Sequence, residues 1–264
     1  MSLDPPPSWL LPDGVDAPLW RYAHTPRLAV EEDAYFADHP LFARDAALLD
    51  ARLRPPGTLV DLGSGAGRHA VRLAARGFAV TAVDLSRPML ETVAAKARAA
   101  GVLDRMACVQ ANLCRLDALP ASHFDVALSM FSTLGMIRTR PARRRALAEA
   151  ARLLKPGGQL VLHAHNVWLN LADPQGRRWL LGQVGKILLG RAPFGDRRMT
   201  YRGISGMEVH LFRWGELAAD LASAGFRVEE SIPLHPVTAA TISAPRLLPR
   251  VRAGGWLVFA RRAG

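Results

Sequence analysis

Cysteine is almost missing from this chain of 264 residues: Cys108 and Cys114 are its whole complement. Two thiols at that spacing make neither a disulfide framework nor a metal-ligand pattern, so reduced thiols in a cytoplasmic protein without a metal are expected. No apolar run approaches about 18 residues, which argues against a membrane-spanning helix. Residues 1–7 have neither a basic start nor an apolar stretch, so no secretory leader is expected there. Internal repeats and low-complexity tracts are lacking too. Lysine is the last scarcity. Of 34 basic residues only Lys96, Lys155 and Lys186 are lysines, so arginine carries the positive charge.

Apolar content is ample. Hydrophobic residues make up 50% of the chain, enough for one sizeable domain with an elaboration. The formal net charge of +11 is unevenly spread. Residues 1–50 hold 3 basic and 9 acidic side chains, whereas residues 138–202 hold 14 basic and 3 acidic. Such a local excess can draw phosphate or an anionic surface, and a solvated basic face is the plainer alternative.

The most informative stretch is Val60-Asp61-Leu62-Gly63-Ser64-Gly65-Ala66-Gly67, which follows a strand signal and opens a helix signal. Alternate glycines let the backbone turn tightly from strand to helix and lie close to a ligand. Asp61 can accept hydrogen bonds from a cationic amino group. The next strand signal ends in Asp84, about 20 residues beyond the start of the loop, where an acid suits the two hydroxyls of a ribose. The spacing favours a nucleoside ligand. A dinucleotide remains open, since Gly65 to Ala70 also fits G-x-G-x-x-A, although Asp61 would repel a pyrophosphate. A turn without any ligand is the bland alternative.

Strand and helix signals then alternate, the mark of a parallel sheet covered on both faces. Strands are expected near 58–62, 78–83, 106–110, 124–129 and 158–163, with helices near 67–76, 87–100 and 141–153. A helix near 213–224 and strands near 226–232 and 255–260 close the chain. Residues 1–40, rich in proline, acid and aromatic side chains, suggest a partly ordered arm or lid. Within the body, 41–264, an insertion at 166–210 reads as a basic amphipathic helix followed by a loop from Gly190 to Gly206. Placed after the fifth strand, it would stand over the carboxyl ends of the sheet as a substrate lid.

Five pieces in order resemble the class I S-adenosylmethionine-dependent methyltransferases. They are the loop Asp61 to Gly67; Val83-Asp84-Leu85-Ser86 with Pro88-Met89-Leu90; Gln110-Ala111-Asn112-Leu113; Phe124 to Ser129; and Leu154-Lys155-Pro156-Gly157-Gly158. The resemblance implies a doubly wound, mostly parallel seven-stranded α/β sheet with an antiparallel C-terminal strand. It also implies S-adenosylmethionine as cofactor. Asp61, Gly63, Ser64, Gly65 and Gly67 would form its loop, Asp84 and Leu85 its ribose side, and Met89 its adenine face. Asn112 and Leu113 would flank the adenine, Asn112 standing where the family usually has Asp. Ser129 and Met130 would lie where the fourth strand meets the cofactor.

Methyl transfer needs alignment and exclusion of water, and a base only where the acceptor carries a proton. His163, His165 and Asn166 end the fifth strand. One of the two histidines is expected to turn into helix packing, and His165 is the candidate for substrate contact. His210 is the second catalytic candidate, and Tyr201 lies within the insertion. A small or lipid-like acceptor is the leading expectation. An RNA acceptor, prompted by residues 138–202 and by a short likeness of 209–217 to tRNA wobble-uridine methyltransferases, is the alternative. A catalytically silent binder of the cofactor and a nicotinamide-dependent oxidoreductase are the other classes.

Overall fold

The computed structural model describes residues 4–36, 40–188, 194–236, 238, 240–242 and 248–264. A 3₁₀ turn at Ser8–Leu10 leads into three helices, α1 (Ala17–His24), α2 (Pro26–Phe36) and α3 (Pro40–Arg52). Asp16 caps α1 by accepting a hydrogen bond from Leu19 N at 3.0 Å, and Pro26 separates α1 from α2. From Ala17 to Phe36 the N-terminal arm is almost wholly helical, more regular than its composition suggests, whereas residues 4–16 hold only the short 3₁₀ turn; residues 37–39 lie outside the described residues.

The body follows with β1 (Gly57–Leu62), α4 (Arg68–Ala75), β2 (Phe78–Asp84), α5 (Arg87–Ala99), β3 (Met106–Gln110), β4 (Phe124–Ser129), α6 (Thr133–Met136), α7 (Arg140–Leu153) and β5 (Leu154–His165). Then come a 3₁₀ stretch, Val167–Ala172, and α8 (Pro174–Leu188). The chain finishes with β6 (Asp196–Tyr201), β7 (Ile204–His210), α9 (Trp214–Ser223), β8 (Phe226–Leu234), α10 (Pro249–Arg252) and β9 (Gly255–Arg262).

Seven strands form one sheet in the order β3-β2-β1-β4-β5-β9-β8. β1 to β5 pair in parallel, and β9 runs antiparallel to both β5 and β8. Helices cover both faces, so the central strands read as near-continuous apolar runs. Val60 and Leu62 pack on one face among Leu147, Leu160 and Phe212. Leu59 packs on the other among Leu73, Phe78 and Val93. The strand order reverses between β1 and β4, which opens a crevice at their carboxyl ends.

From Asp196 on, the expected loop of Gly190 to Gly206 is mostly strand. Residues 196–210 make a two-stranded hairpin, β6 with β7, while 189–193 lie outside the described residues. Arg202 and Gly203 have φ of 52° and 78°, the two positive values of a type I′ turn joining Tyr201 to Ile204. In the segment 233–252, β8 extends to Leu234 and α10 begins at Pro249; residues 237, 239 and 243–247 lie outside the described residues.

The charge asymmetry of the sequence finds its explanation here. The acidic arm lies against the basic middle of the chain: Arg138 pairs with Asp16 at 3.2 Å, Arg145 with Asp13 at 2.9 Å and Arg202 with Glu32 at 3.1 Å. Arg140 and Arg144 share the buried Asp220 at 2.9 and 2.7 Å. Arg198 reaches Glu208 at 2.9 Å. The most exposed of these pairs are worth only about 0–1 kcal/mol each, and together they offset part of the positive charge that prompted an RNA acceptor. Among the described residues no helix is long and apolar enough to cross a membrane.

Candidate active site

β1 ends at Leu62 and the chain turns at once. Gly63 N and Ser64 N both donate to the Val83 carbonyl, at 2.8 and 3.0 Å, and Gly67 N donates to Ser64 O at 3.0 Å. Each glycine has its own reason. A Cβ on Gly63 would collide with Thr133 Cγ2, and one on Gly67 would lie 2.8 Å from Val93. A Cβ on Gly65 would meet nothing within 4 Å, because this residue faces an open cavity.

Asp84, at the end of β2, holds the loop in place. Its Oδ2 accepts from Gly65 N at 2.8 Å and its Oδ1 from Ser86 N at 2.8 Å. Ser86 Oγ accepts in turn from Met89 N at 3.3 Å and so starts α5. Asp61, at the end of β1, is 2% exposed. Burial, and then the neighbouring Asp84, push its carboxyl up to about 7, with Arg68 opposing. Burial also raises Asp84, against the pull of its backbone donors. Two buried acids sharing one cavity are relieved by a cation and by hydroxyl donors.

The cavity holds about 590 Å³, inside the range of roughly 300–1,000 Å³ usual for small-molecule sites. Its floor is the carboxyl end of the sheet. There the backbone turns sharply at Phe131 and Ser132, with φ of 51° and 60°, a conformation that non-glycine residues keep chiefly where function demands it. Ser132 fixes the turn to β5: its N–H donates to His163 O at 3.0 Å, and its Oγ accepts from His165 N at 3.2 Å. The roof comes from α1 through Leu19 and Tyr22 and from the hairpin through Met199, Tyr201 and Met207. Glu32 ties the two together. Its carboxylate accepts from Tyr201 Oη at 2.7 Å, Tyr22 Oη at 3.1 Å and Arg202 Nε at 3.1 Å.

Of the residues expected to bind cofactor, Asp61, Gly63, Ser64, Gly65, Asp84, Leu85, Met89, Asn112, Leu113 and Met130 all line this cavity. Gly67 does not; it caps α4 against Val93. Ser129 does not either, because strand alternation turns it toward Leu147 and Ala150 of α7. Asn112 is busier than expected: its Oδ1 accepts from Cys114 N at 3.0 Å and its Nδ2 donates to Asp13 O at 2.8 Å. The second bond explains the departure from the family's Asp, since a carboxylate cannot donate to the arm.

The catalytic candidates divide. His165 lines the cavity, and burial, aided by His163, lowers its pKa to about 3. His163 lines it as well, with ring centroids 5.3 Å apart. Residues two apart in a strand share a face, so both rings reach the cavity, and the buried His163 is also the one packed against helix α3. His210 stays out of the cavity. It is buried between Asp196 Oδ1 at 2.7 Å and Glu216 Oε1 at 2.9 Å. Burial disfavours its charge, but the two carboxylates outweigh that and raise its pKa. This ion cluster fastens the hairpin to α9. Asn166 is structural too, its Nδ2 donating to Arg250 O and Ala253 O at 2.9 and 2.7 Å.

Sequence reasoning missed Asp45, Tyr22 and Glu32 as site residues, and left His69, at the start of the helix after the glycine loop, open between the cofactor and solvent. His69 lines the cavity from α4, with both ring nitrogens buried and without partners among the described residues. Burial, then Arg72 and Arg68, lower its pKa to about 3.

Residues 59–158 match a family described as a methyltransferase domain. A ubiquinone/menaquinone biosynthesis C-methyltransferase of Brucella suis is 31% identical over 153 residues, 55% of this chain and 55% of that one. The chain spans about half the length of the curated relatives it matches. Among solved structures, an S-adenosylmethionine-dependent methyltransferase of Methanosarcina mazei superposes with a TM-score of 0.65 at 21% identity, covering 82% of this chain and 97% of that one. The 1,6-didemethyltoxoflavin N1-methyltransferase of Burkholderia thailandensis, solved with its acceptor and S-adenosylhomocysteine, gives 0.61 at 21% identity over 89% and 84%. The fold is theirs.

Proposed function

We propose that this chain, whose residues 59–158 match a family described as a methyltransferase domain, is a class I S-adenosylmethionine-dependent methyltransferase that moves a methyl group from S-adenosylmethionine to a small, largely apolar acceptor. One observation carries the reading: a single cavity runs from Asp61 and Asp84, across the open face of Gly65, to His163 and His165. Those residues fit the cofactor. Asp61 would take the amino group of the methionine tail, Asp84 the ribose hydroxyls, and Met89 and Leu113 the adenine faces. Bound there, the cofactor would supply an electrophilic methyl already activated by its sulfonium charge.

The protein's share is then alignment and dryness. Leu19 and Tyr22 of the arm, with Met199 and Met207 of the hairpin, roof the space over β4 and β5, so residues 4–36 and the insertion act together as the lid. Glu32 is the latch between them. The Brucella and Burkholderia relatives act on small molecules, which supports the same acceptor class here. Incubation with methyl-labelled cofactor and the small-molecule fraction of a cell extract should yield a labelled product by mass spectrometry. Label found only in macromolecules would contradict the proposal.

A pH dependence follows. With Asp61 near 7 in the free protein, the acid must lose its proton before it can hold a cation. Cofactor affinity is therefore expected to fall below pH 7, by up to about tenfold per unit. Calorimetry between pH 5 and 8 measures this directly, and a flat profile would count against the role of Asp61.

A further inference from the structure

His163 has a neighbour the sequence reading did not anticipate. Asp45, on the buried face of α3, is 0% exposed, and its Oδ2 lies 3.3 Å from His163 Nδ1. His163 itself is 1% exposed. Among the described residues neither Asp45 oxygen accepts an aligned hydrogen bond, and Nδ1 has none either. A carboxylate fully removed from water costs several kcal/mol unless a positive or donating partner compensates. Arg44 is adjacent in sequence but directs Nη2 to Thr241 Oγ1 at 2.6 Å. The imidazole is the partner within reach, and it lines the cavity.

The surroundings isolate this pair. His165 and His69 face the same space, and burial keeps both neutral. Arg68 and Arg72 lie beyond His69 on α4, and Phe131 packs 6.1 Å from the His163 ring. Asp45 thus sets a buried carboxylate on the Nδ1 side of one of these imidazoles. That arrangement fixes Nδ1 as the protonated nitrogen and leaves Nε2 as the basic one. Despite the three histidines, no group of three His, Cys, Asp or Glu side chains among the described residues is placed to hold a metal.

We propose that Asp45 and His163 form a proton-accepting pair on the cavity floor, and that the acceptor methylated here presents an ionisable hydroxyl to it. The inference rests on the methyltransferase reading and deepens it. The acceptor oxygen forms a bond to the methyl carbon as the sulfur–methyl bond breaks, its electron pair staying on sulfur. The O–H bond breaks in the same step and its proton passes to His163 Nε2. The imidazolium formed is held by the Asp45 carboxylate until the proton leaves to water. His163 touches the acceptor; Asp45 is a positioning residue acting through it.

Two readouts on the full chain test this. Histidine nitrogen NMR of the protein with S-adenosylhomocysteine bound should show His163 protonated at Nδ1 and basic at Nε2. Asp45→Asn should weaken that preference, so that the tautomer protonated at Nε2 gains population. The opposite tautomer in the wild-type protein, or a tautomer balance unmoved by Asp45→Asn, overturns the proposal without any acceptor being known. The second readout is transfer from labelled cofactor to a panel of simple phenols and matched anilines. Methyl should appear on oxygen, and His163→Gln should lower kcat by about 10²–10⁴-fold while affinity for S-adenosylhomocysteine stays within twofold. His163→Gln keeps a hydrogen-bonding side chain, which guards against simple misfolding. Transfer only to nitrogen, or wild-type rates in His163→Gln, overturns the proposal. Failure of the wild-type protein to bind S-adenosylhomocysteine would instead strike at the methyltransferase reading itself.

Discussion

Asp61→Asn is expected to raise the Tm of the ligand-free protein at pH 8 while weakening S-adenosylmethionine about a hundredfold. Both effects come from one buried carboxylate. Its pKa is raised from 3.8 to about 7 by burial and by Asp84, so the folded protein keeps a proton that the unfolded chain gives up. The stability this group contributes is complete below about pH 4 and is lost as pH rises through 7. An amide never ionises, so the variant escapes the loss. The gain in Tm should therefore grow between pH 4 and 8, at roughly 2–4 °C for each kcal/mol recovered in a chain of this size. The affinity falls because a charge-assisted bond to the cofactor's amino group is worth about 1.5–3 kcal/mol. A variant that loses stability and binding together would mean that Asp61 is structural.

The glycines of the loop offer the second contrast. Gly63→Ala is expected to destabilise the fold by about 2–4 kcal/mol. It would drive a methyl into Thr133 Cγ2 at a left-handed position with φ of 77°, adding overpacking to backbone strain. Thr133 is β-branched and cannot swing aside easily. Gly65→Ala should behave differently. Its φ of 53° lies where an L-residue costs about 1–2 kcal/mol, but its Cβ would enter empty space. That space is where the proposed function puts the cofactor against the backbone, so affinity should drop at least about tenfold with a modest change in Tm. Thermal melts and calorimetry on the two variants separate the cases. The reverse ranking would place the ligand elsewhere.

Much of this was legible in the chain itself. The glycine loop, the two acids and the alternating strands follow from local rules of turning, periodicity and burial that act within about twenty residues. Four failures are instructive. The hairpin of residues 196–210 was hidden because Arg197, Arg198 and Tyr201 break the apolar alternation of a strand. Its surviving signal is Gly203, the second residue of a two-residue turn. Asp45 was concealed within a helix read for its apolar residues alone. It stands four residues from both Leu41 and Leu49, and an acid inside such a stripe is the clue. His210 misled because a histidine after an insertion looks functional, whereas its partners Asp196 and Glu216 meet it only once β6, β7 and α9 are assembled. The acidic partners of the basic middle of the chain were hidden for the same reason: Asp13, Asp16 and Glu32 lie more than a hundred residues earlier, and Asp220 lies far beyond Arg140 and Arg144.

Each of these is a long-range pairing. Sequence patterns report which residues want burial or a charge partner, not which partner the topology will deliver. The part of the cavity around Asp61, Gly65 and Asp84 is built mostly from one β-loop-α unit and its neighbours, so most residues that line it could be read in advance. The acceptor half draws on α1, α3, α4, β5 and the hairpin, and its chemistry emerged only when these were brought together.

The most direct test of the central claim is a calorimetric titration of the full chain with S-adenosylhomocysteine, beside the same titration of Asp84→Ala. Saturable one-to-one binding by the wild-type protein, lost in the variant, is the predicted result, because Asp84 both faces the ribose side and holds Gly65 N. Silence from the wild-type protein at millimolar ligand, or equal binding by the two proteins, would contradict it.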